Sequence, residues 1–409
     1  MLTSQPTEAT PLCIYCDRPG PFSDEHVICA GLGADDDRFL LVDMVCRHCN
    51  TKVFGNLERE VLRSSPIAIA RSFMQPHGRD RGKHTTAPGI QAQKKQMISA
   101  SGNPDEVDFG PHSKPIVLPQ LKMVGEKQLT SSTENTDDLR SFVSSLLNLF
   151  RGDQVICVRK RGPEHELRYE AITMLRSGMS FSQEDPSCFQ AKPPRGCIWL
   201  ERYEKADGRG ANPLATIFKS RKGETVLKTS SETVENALNF FACAAEQFSF
   251  EDQETRDIEN PIISVQMTVT IGVMERVLAK IGINLLAFYL GREYVSDPRF
   301  QGVKGSILKG TPRLESHLVE NDAMNAILSA APKDHHILVL SSAKQQDGRL
   351  AIILTAKLYG VSFGMPLALD VPKPHKAFPV FFLVDYLNHE VKEQSLVEYS
   401  EYLCGTGMA

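Results

Sequence analysis

The chain has 409 residues, of which 41% are hydrophobic and 23% are charged, and its formal net charge is −4. This length exceeds one ordinary domain and predicts two or three, and the composition is that of a soluble globular protein. A net negative charge excludes a polycation that coats nucleic acid along its whole surface. Any contact with nucleic acid must therefore come from a local basic region.

The sequence predicts neither a targeting segment nor a membrane segment. Residues 1–12 are polar and rich in Pro and Thr, without a basic stretch followed by an apolar core, so we expect a disordered lead instead of a signal peptide. The longest apolar stretch, Ile271–Leu290, contains four polar residues: Glu275, Arg276, Lys280 and Asn284. They predict a core helix with one hydrated face, and not a membrane span. We therefore expect a cytoplasmic protein with no membrane partner.

Two Cys-x-x-Cys pairs lie near the N-terminus: Cys13 with Cys16, and Cys46 with Cys49. Four thiolates in two such turns can bind one tetrahedral Zn²⁺ at roughly 2.3 Å per bond, so we predict a structural zinc site. Because so short a segment buries little apolar surface, the metal would supply much of its folding free energy. Two alternatives remain open: a redox-active pair, although no βαβ pattern accompanies it, and four unrelated core cysteines. The other cysteines are scattered singly and predict packing residues: Cys29, Cys157, Cys188, Cys197, Cys243 and Cys404.

A second group of residues lies between and just after these pairs. Glu25-His26 is followed by Gly31-x-Gly33, and Asn50 comes directly after the second pair. Together with the cysteines and an amphipathic helix, this set resembles the zinc-stapled branch of the HNH (ββα-metal) endonucleases, over residues 13–62 only. The resemblance implies a β-hairpin followed by a helix, with one catalytic Mg²⁺ or Mn²⁺ between them.

The resemblance also implies a role for each of three residues. His26 matches the general base that deprotonates the attacking water, while Glu25 and Asn50 match the ligands of the catalytic cation. Such a cation neutralises the charge that develops on the phosphorus oxygens, and an imidazole with a pKa of about 6.5 can accept a proton from water. The middle Asn of the family signature is missing from residues 40–43. A backbone contact or Asp43 could replace it as the brace of the histidine loop.

Other interpretations of the segment remain open. His26 could instead be an additional zinc-site residue or a core histidine, and His48 could contact DNA although we expect it to be exposed. The acidic run Asp35–Asp37 predicts a solvated loop, and Cys29 predicts a small packed residue. The helix after Asn50 should bury one face on the zinc hairpin, formed by Val53, Phe54, Leu57 and Val61.

Residues 76–110 carry few large apolar side chains and predict a basic linker. Over residues 51–95, basic residues outnumber acidic ones, as a surface that follows DNA phosphates requires. The candidate DNA contacts are Lys52, Arg79, Arg81 and Lys83. The alternative is an ordinary solvated linker.

Residues 111–409 predict an α+β domain, with two subdomains as an option. Strand-like runs are Gln154–Lys160, Cys197–Tyr203 and Pro261–Thr270, and hairpins are expected around Lys222-Gly223 and Asp347-Gly348. Helices are expected over Asn236–Phe248 and Val273–Leu290, and a further one between Asp297 as N-cap and Gly310. Asp334-His335-His336 should open a strand.

The function expected from these features is that of an HNH nuclease acting on DNA, with residues 13–75 as its catalytic domain. The linker would join it to a domain, residues 111–409, that selects substrate or binds an activating nucleotide or protein partner. This architecture is similar to that of effector proteins in bacterial antiphage defence, an analogy of architecture alone. The alternative is a catalytically silent zinc module that binds nucleic acid or a protein.

Overall fold

The computed structural model describes residues 11–75, 89–92, 94–98, 103–110, 114–125, 128–162, 168–178, 180–184, 188–203, 212–229, 234–251, 262–319, 321–344 and 348–405. The predicted mixed α+β fold is confirmed. None of the described helices combines the length and the apolar character needed to cross a membrane.

Helices and strands are numbered separately along the chain. The α-helices are α1 (Gly55–Arg63), α2 (Pro66–Met74), α3 (Thr136–Phe150), α4 (Val234–Gln247), α5 (Ile271–Leu290), α6 (Arg292–Val295), α7 (Gln301–Lys309), α8 (Asp322–Ser329) and α9 (Leu396–Gly405). The strands are β1 (Glu25–His26), β2 (Leu40–Leu41), β3 (Lys94–Ile98), β4 (Pro104–Phe109), β5 (Pro115–Val117), β6 (Gln120–Met123), β7 (Leu129–Ser132), β8 (Gln154–Arg161), β9 (Arg168–Ser177), β10 (Ser180–Gln183), β11 (Cys188–Gln190), β12 (Ile198–Arg202), β13 (Ala215–Lys219), β14 (Thr225–Thr229), β15 (Ile262–Gln266), β16 (His317–Leu318), β17 (His335–Lys344), β18 (Leu350–Leu358), β19 (Val361–Leu369), β20 (Val380–Asp385) and β21 (Glu390–Ser395).

The chain divides into two compact units. The first unit combines the described residues up to Gln91 with those from Met267 onward, and the second contains the described residues from Ala92 to Gln266. The predicted boundaries at residues 75 and 110 differ from this division. The N-terminal segment shares one continuous apolar core with α5 and the C-terminal strands, so it is no separate domain.

An antiparallel six-stranded sheet, in the order β16-β19-β18-β17-β20-β21, forms the frame of the first unit. Strand side chains alternate between the two faces of a sheet. Leu338 and Leu340 therefore enter the core shared with α5 and the N-terminal segment, whereas Ile337 and Val339 pack against α8 and α9. The predicted hairpin of β17 and β18 is confirmed as an antiparallel pair. Residues 345–347 of its turn lie outside the described residues.

Helix α5 is the central element of this unit. The predicted helix is confirmed, and Gly291 ends it with a φ of 87°. Its predicted hydrated face is wrong, because Glu275, Lys280 and Asn284 are all buried. Since the N-terminal segment and the sheet both pack on this helix, those polar residues meet protein partners instead of water.

The second unit contains a sheet in the order β10-β9-β8-β12-β14-β13-β6-β7, with β11 also on β9, and a separate sheet β15-β3-β4-β5. Helices α3 and α4 pack on one face of the larger sheet. The predicted strands at β8 and β12 and the hairpin of β13 and β14 are confirmed. Strands β3 and β4 lie where the sequence predicts a linker. Their pairing depends on β15, far along the chain, and their composition does not reveal it.

Candidate metal centre

The four predicted cysteines come together in the first unit. Their Sγ atoms all lie within 4.8 Å of one another, and the Sγ atoms of Cys16 and Cys46 are 3.5 Å apart. Four sulfur ligands of a tetrahedral Zn²⁺ would be about 3.8 Å apart, so the cluster fits a zinc ion. Hydrogen bonding from the Cys49 thiol lowers the pKa of Cys13 to about 4, whereas burial raises the pKa of Cys16 to about 11. A lowered pKa favours the thiolate, which is the form that binds zinc.

The segment that carries this cluster also contains two strands and a helix. Strand β1 pairs antiparallel with β2, with His26 opposite Leu40. A π-helical turn from Cys49 to Phe54 then leads into α1, whose buried side chains include Leu57 and Val61. The order strand, strand, helix is the one that the family resemblance implies. The predicted buried face of this helix is confirmed.

The loop between β1 and β2 approaches the C-terminal sheet closely. Gly33 has a φ of 86°, and a Cβ atom there would lie 2.4 Å from the Cα atom of Tyr386. Asp36 is buried in the same loop and accepts hydrogen bonds from the Arg38 side chain and from the Val391 main-chain N–H. The bond from Arg38 lowers the pKa of Asp36 to about 2. The prediction of a solvated acidic run is therefore wrong for Asp36, because the loop docks on β21.

His26 lies at the rim of this segment beside the first residue of the acidic run. Its Nε2 atom is 3.3 Å from Oδ1 of Asp35, and both side chains are 22% exposed. The Nδ1 atom of His26 is buried. The pair resembles an imidazole held by a carboxylate, an arrangement that stabilises the protonated ring. Asp35 was not among the site residues predicted from the sequence, since its neighbours Asp36 and Asp37 look equivalent to it.

Glu25 points to the interior. It is 3% exposed, and its Oε1 atom forms an ion pair with Nζ of Lys280, which in turn lies 2.7 Å from Oε1 of Glu58. Burial alone would lower the pKa of Lys280, but the two carboxylates raise it, so the ammonium stays charged. A carboxylate that faces a buried ammonium does not face a solvent cation. This placement differs from the predicted role of Glu25 as a ligand of the catalytic metal.

Asn50 lies at the start of the helical segment, as predicted. Its Nδ2 atom donates to the main-chain carbonyl of Asp24, at 2.8 Å. His48 and Lys52 are exposed, which confirms the expected orientation of His48. The other candidate DNA contacts lie outside the described residues: Arg79, Arg81 and Lys83.

The predicted site residues do not all converge on one place in the structure. The cysteines form one cluster, and among the described residues no other group of three His, Cys, Asp or Glu side chains could hold a metal. Glu25 faces Lys280, while His26 faces Asp35. Lys280 and Asn284 were expected to face water. Their spacing of four residues places them on one face of an otherwise apolar helix, and this could have indicated from the sequence that they share a buried polar contact.

The buried ion pair leads to a prediction for stability. Lys280→Met should lower the free energy of unfolding by about 3–5 kcal/mol, because it leaves the Glu25 carboxylate buried without its partner. The double variant Lys280→Met, Glu25→Gln should recover part of the loss, since it removes that charge too. Urea denaturation followed by circular dichroism measures both. A loss below about 1 kcal/mol for Lys280→Met, the range of exposed pairs, would contradict this role.

Comparisons with protein-family models, curated proteins and solved structures find no match for this chain.

Proposed function

We propose that residues 13–62 form a zinc-stapled HNH-type centre that hydrolyses phosphodiester bonds of DNA. The observation that carries this proposal is the contact between His26 and Asp35 at the rim of a β-hairpin next to the four-cysteine cluster. In the proposed reaction, His26 takes a proton from water as the water oxygen attacks phosphorus. The bond from phosphorus to the leaving deoxyribose oxygen then breaks, and that oxygen takes up a proton from solvent.

Asp35 would support His26 in this reaction. The Nε2 atom of His26 faces the Asp35 carboxylate, which would stabilise the imidazolium that forms. General-base catalysis of this kind contributes about 10²–10⁴-fold to a rate. Asp35 is therefore proposed as a positioning residue that acts through His26.

The residues that the resemblance assigns to a catalytic Mg²⁺ or Mn²⁺ do not all fit that ion in this conformation. Glu25 is held by Lys280 in the interior, and only Asn50, whose Nδ2 atom is bound to Asp24, remains near the surface. We therefore assign no reaction step to the cation. Plasmid cleavage with and without a divalent cation tests whether such an ion is required.

A second candidate is a catalytically silent zinc module that binds nucleic acid or a protein partner. Two observations favour it: the pairing of Glu25 with Lys280, and the burial of the His26 Nδ1 atom. Under either candidate, the remainder of the chain is proposed to select the substrate or to bind an activating nucleotide or protein, as an effector in antiphage defence would.

A plasmid assay separates the two candidates. We expect the purified full-length protein to convert supercoiled plasmid to nicked or linear forms with Mg²⁺ or Mn²⁺, and to lose this activity in EDTA. The zinc content is measured before and after EDTA treatment, so that loss of structural zinc is not mistaken for loss of the catalytic cation. If zinc-loaded protein shifts DNA in a gel but cleaves it under no condition, the nuclease proposal fails and the silent module is supported.

A further inference from the structure

Helix α5 contacts the strand that carries His26 through a buried side chain. The Nδ2 atom of Asn284 donates to the main-chain carbonyl of His26, at 3.1 Å. Its Oδ1 atom accepts from the Tyr15 hydroxyl, at 2.6 Å. Asn284 is 0% exposed, and its Nδ2 atom faces two acceptors, the His26 carbonyl and Oε1 of Glu25, which fix the orientation of the amide.

The same face of α5 holds the residue before His26. Lys280 lies one helical turn before Asn284 and forms the ion pair with Glu25. The Nδ2 atom of Asn284 also lies 3.3 Å from Oε1 of Glu25. Both residues of β1 are therefore bound by α5, one through its side chain and one through its carbonyl.

The middle Asn of the family signature, which braces the histidine loop, is missing here from residues 40–43. The contacts of Asn284 concern that same role. Leu40 and Leu41 form β2, and Asp43 is exposed with its main-chain carbonyl bound by Arg292. The proposed substitute at Asp43 therefore does not reach the histidine strand through its side chain. The main chain of the histidine strand is paired with Leu40 of β2, the backbone contact that was one expected substitute, and Asn284 binds the His26 carbonyl in addition.

We infer that Asn284 is a positioning residue for His26, supplied by a helix near the other end of the chain. The inference rests on the proposed function, in which His26 is the base. A hydrogen bond buried in a low-dielectric interior is costly to leave unmade, so it fixes the carbonyl of His26 and, through it, the ring. A misplacement of about 1 Å at a reacting group can lower a rate by roughly 10²-fold.

The test compares Asn284→Leu and Asn284→Ala with Tyr15→Phe in the full-length protein. The Asn284 variants remove the donor to His26. Tyr15→Phe removes the hydroxyl that contacts the opposite side of the same amide and the Lys280 carbonyl, so it controls for the loss of a buried hydrogen bond. We expect kcat for plasmid cleavage to fall about 10²-fold in the Asn284 variants, with KM changed less than about twofold. Tyr15→Phe should keep kcat within about twofold of the parent.

A second readout does not depend on cleavage. In ¹⁵N-histidine-labelled protein, the ring resonances of His26 are identified by their absence from His26→Gln. We expect them to shift or broaden in the Asn284 variants and to stay unchanged in Tyr15→Phe. If one Asn284 variant does not fold, the other and these spectra still decide the question.

Three outcomes overturn the inference: unchanged kcat in a folded Asn284 variant, an equal fall of kcat in Tyr15→Phe, or unchanged His26 resonances. A parent protein that cleaves no DNA refutes the proposed nuclease function. In that case shifted resonances would still support Asn284 as the residue that positions the ring. Failure of the function and failure of the positioning role are thus distinguished.

Discussion

Replacing Cys49 by Ser should release zinc from the protein and unfold the segment that surrounds the cluster. We expect the purified parent to contain close to one tightly bound Zn²⁺ per chain, because four sulfur atoms converge on one point. Zinc binding to such sites contributes on the order of 10–16 kcal/mol in small zinc modules. Loss of one ligand should therefore exceed the effect of any single core substitution. Metal content by mass spectrometry and thermal unfolding by circular dichroism measure the result.

Cys29→Ala provides the matched control for this experiment. Cys29 lies between the two pairs and is buried, but it is outside the four-cysteine cluster. It should keep its zinc and lose only the modest stability of a small cavity. A metal-free preparation of the parent that stays folded would refute the zinc site, as would equal zinc contents in the Cys49→Ser and parent proteins.

His26→Ala should abolish DNA cleavage, with a fall of about 10²–10⁴-fold, because it removes the proposed general base. Zinc content and DNA affinity should remain those of the parent, since His26 is outside the cysteine cluster and is assigned no contact with substrate phosphates. The measurements are plasmid cleavage, metal analysis and gel-shift titration on one preparation. His48→Ala is the control, because His48 is an exposed histidine within the second cysteine pair and should retain activity.

Asp35→Asn should lower DNA cleavage less than His26→Ala does. It keeps the shape of the side chain beside His26 but removes the charge that would stabilise the imidazolium. We expect an activity between those of the parent and His26→Ala. If His26→Ala instead releases zinc or unfolds the protein, the histidine is structural. The silent zinc module then becomes the better account of this segment.

Much of the local structure could be predicted from the sequence. The cysteine spacing predicted the cluster because each Cys-x-x-Cys turn places two thiols side by side whatever lies beyond it. The periodicity of α5 and the Gly at its end, and the Lys222-Gly223 turn between β13 and β14, predicted elements that the structure confirms. Helix α3 was missed although Asn135 caps its N-terminus and its apolar face is regular. The signal for it was present.

The surroundings of the candidate site were decided by the tertiary structure. Glu25 looked like a metal ligand from its neighbours in the chain, yet its partner, Lys280, lies on α5 near the other end of the chain. Lys280 and Asn284 looked like a hydrated helix face, yet both are buried against the histidine strand. Turn chemistry and periodicity depend on residues a few positions apart, so a sequence reports them directly. The partner of a buried charge depends on which distant segments pack together, and burial then makes that partner obligatory.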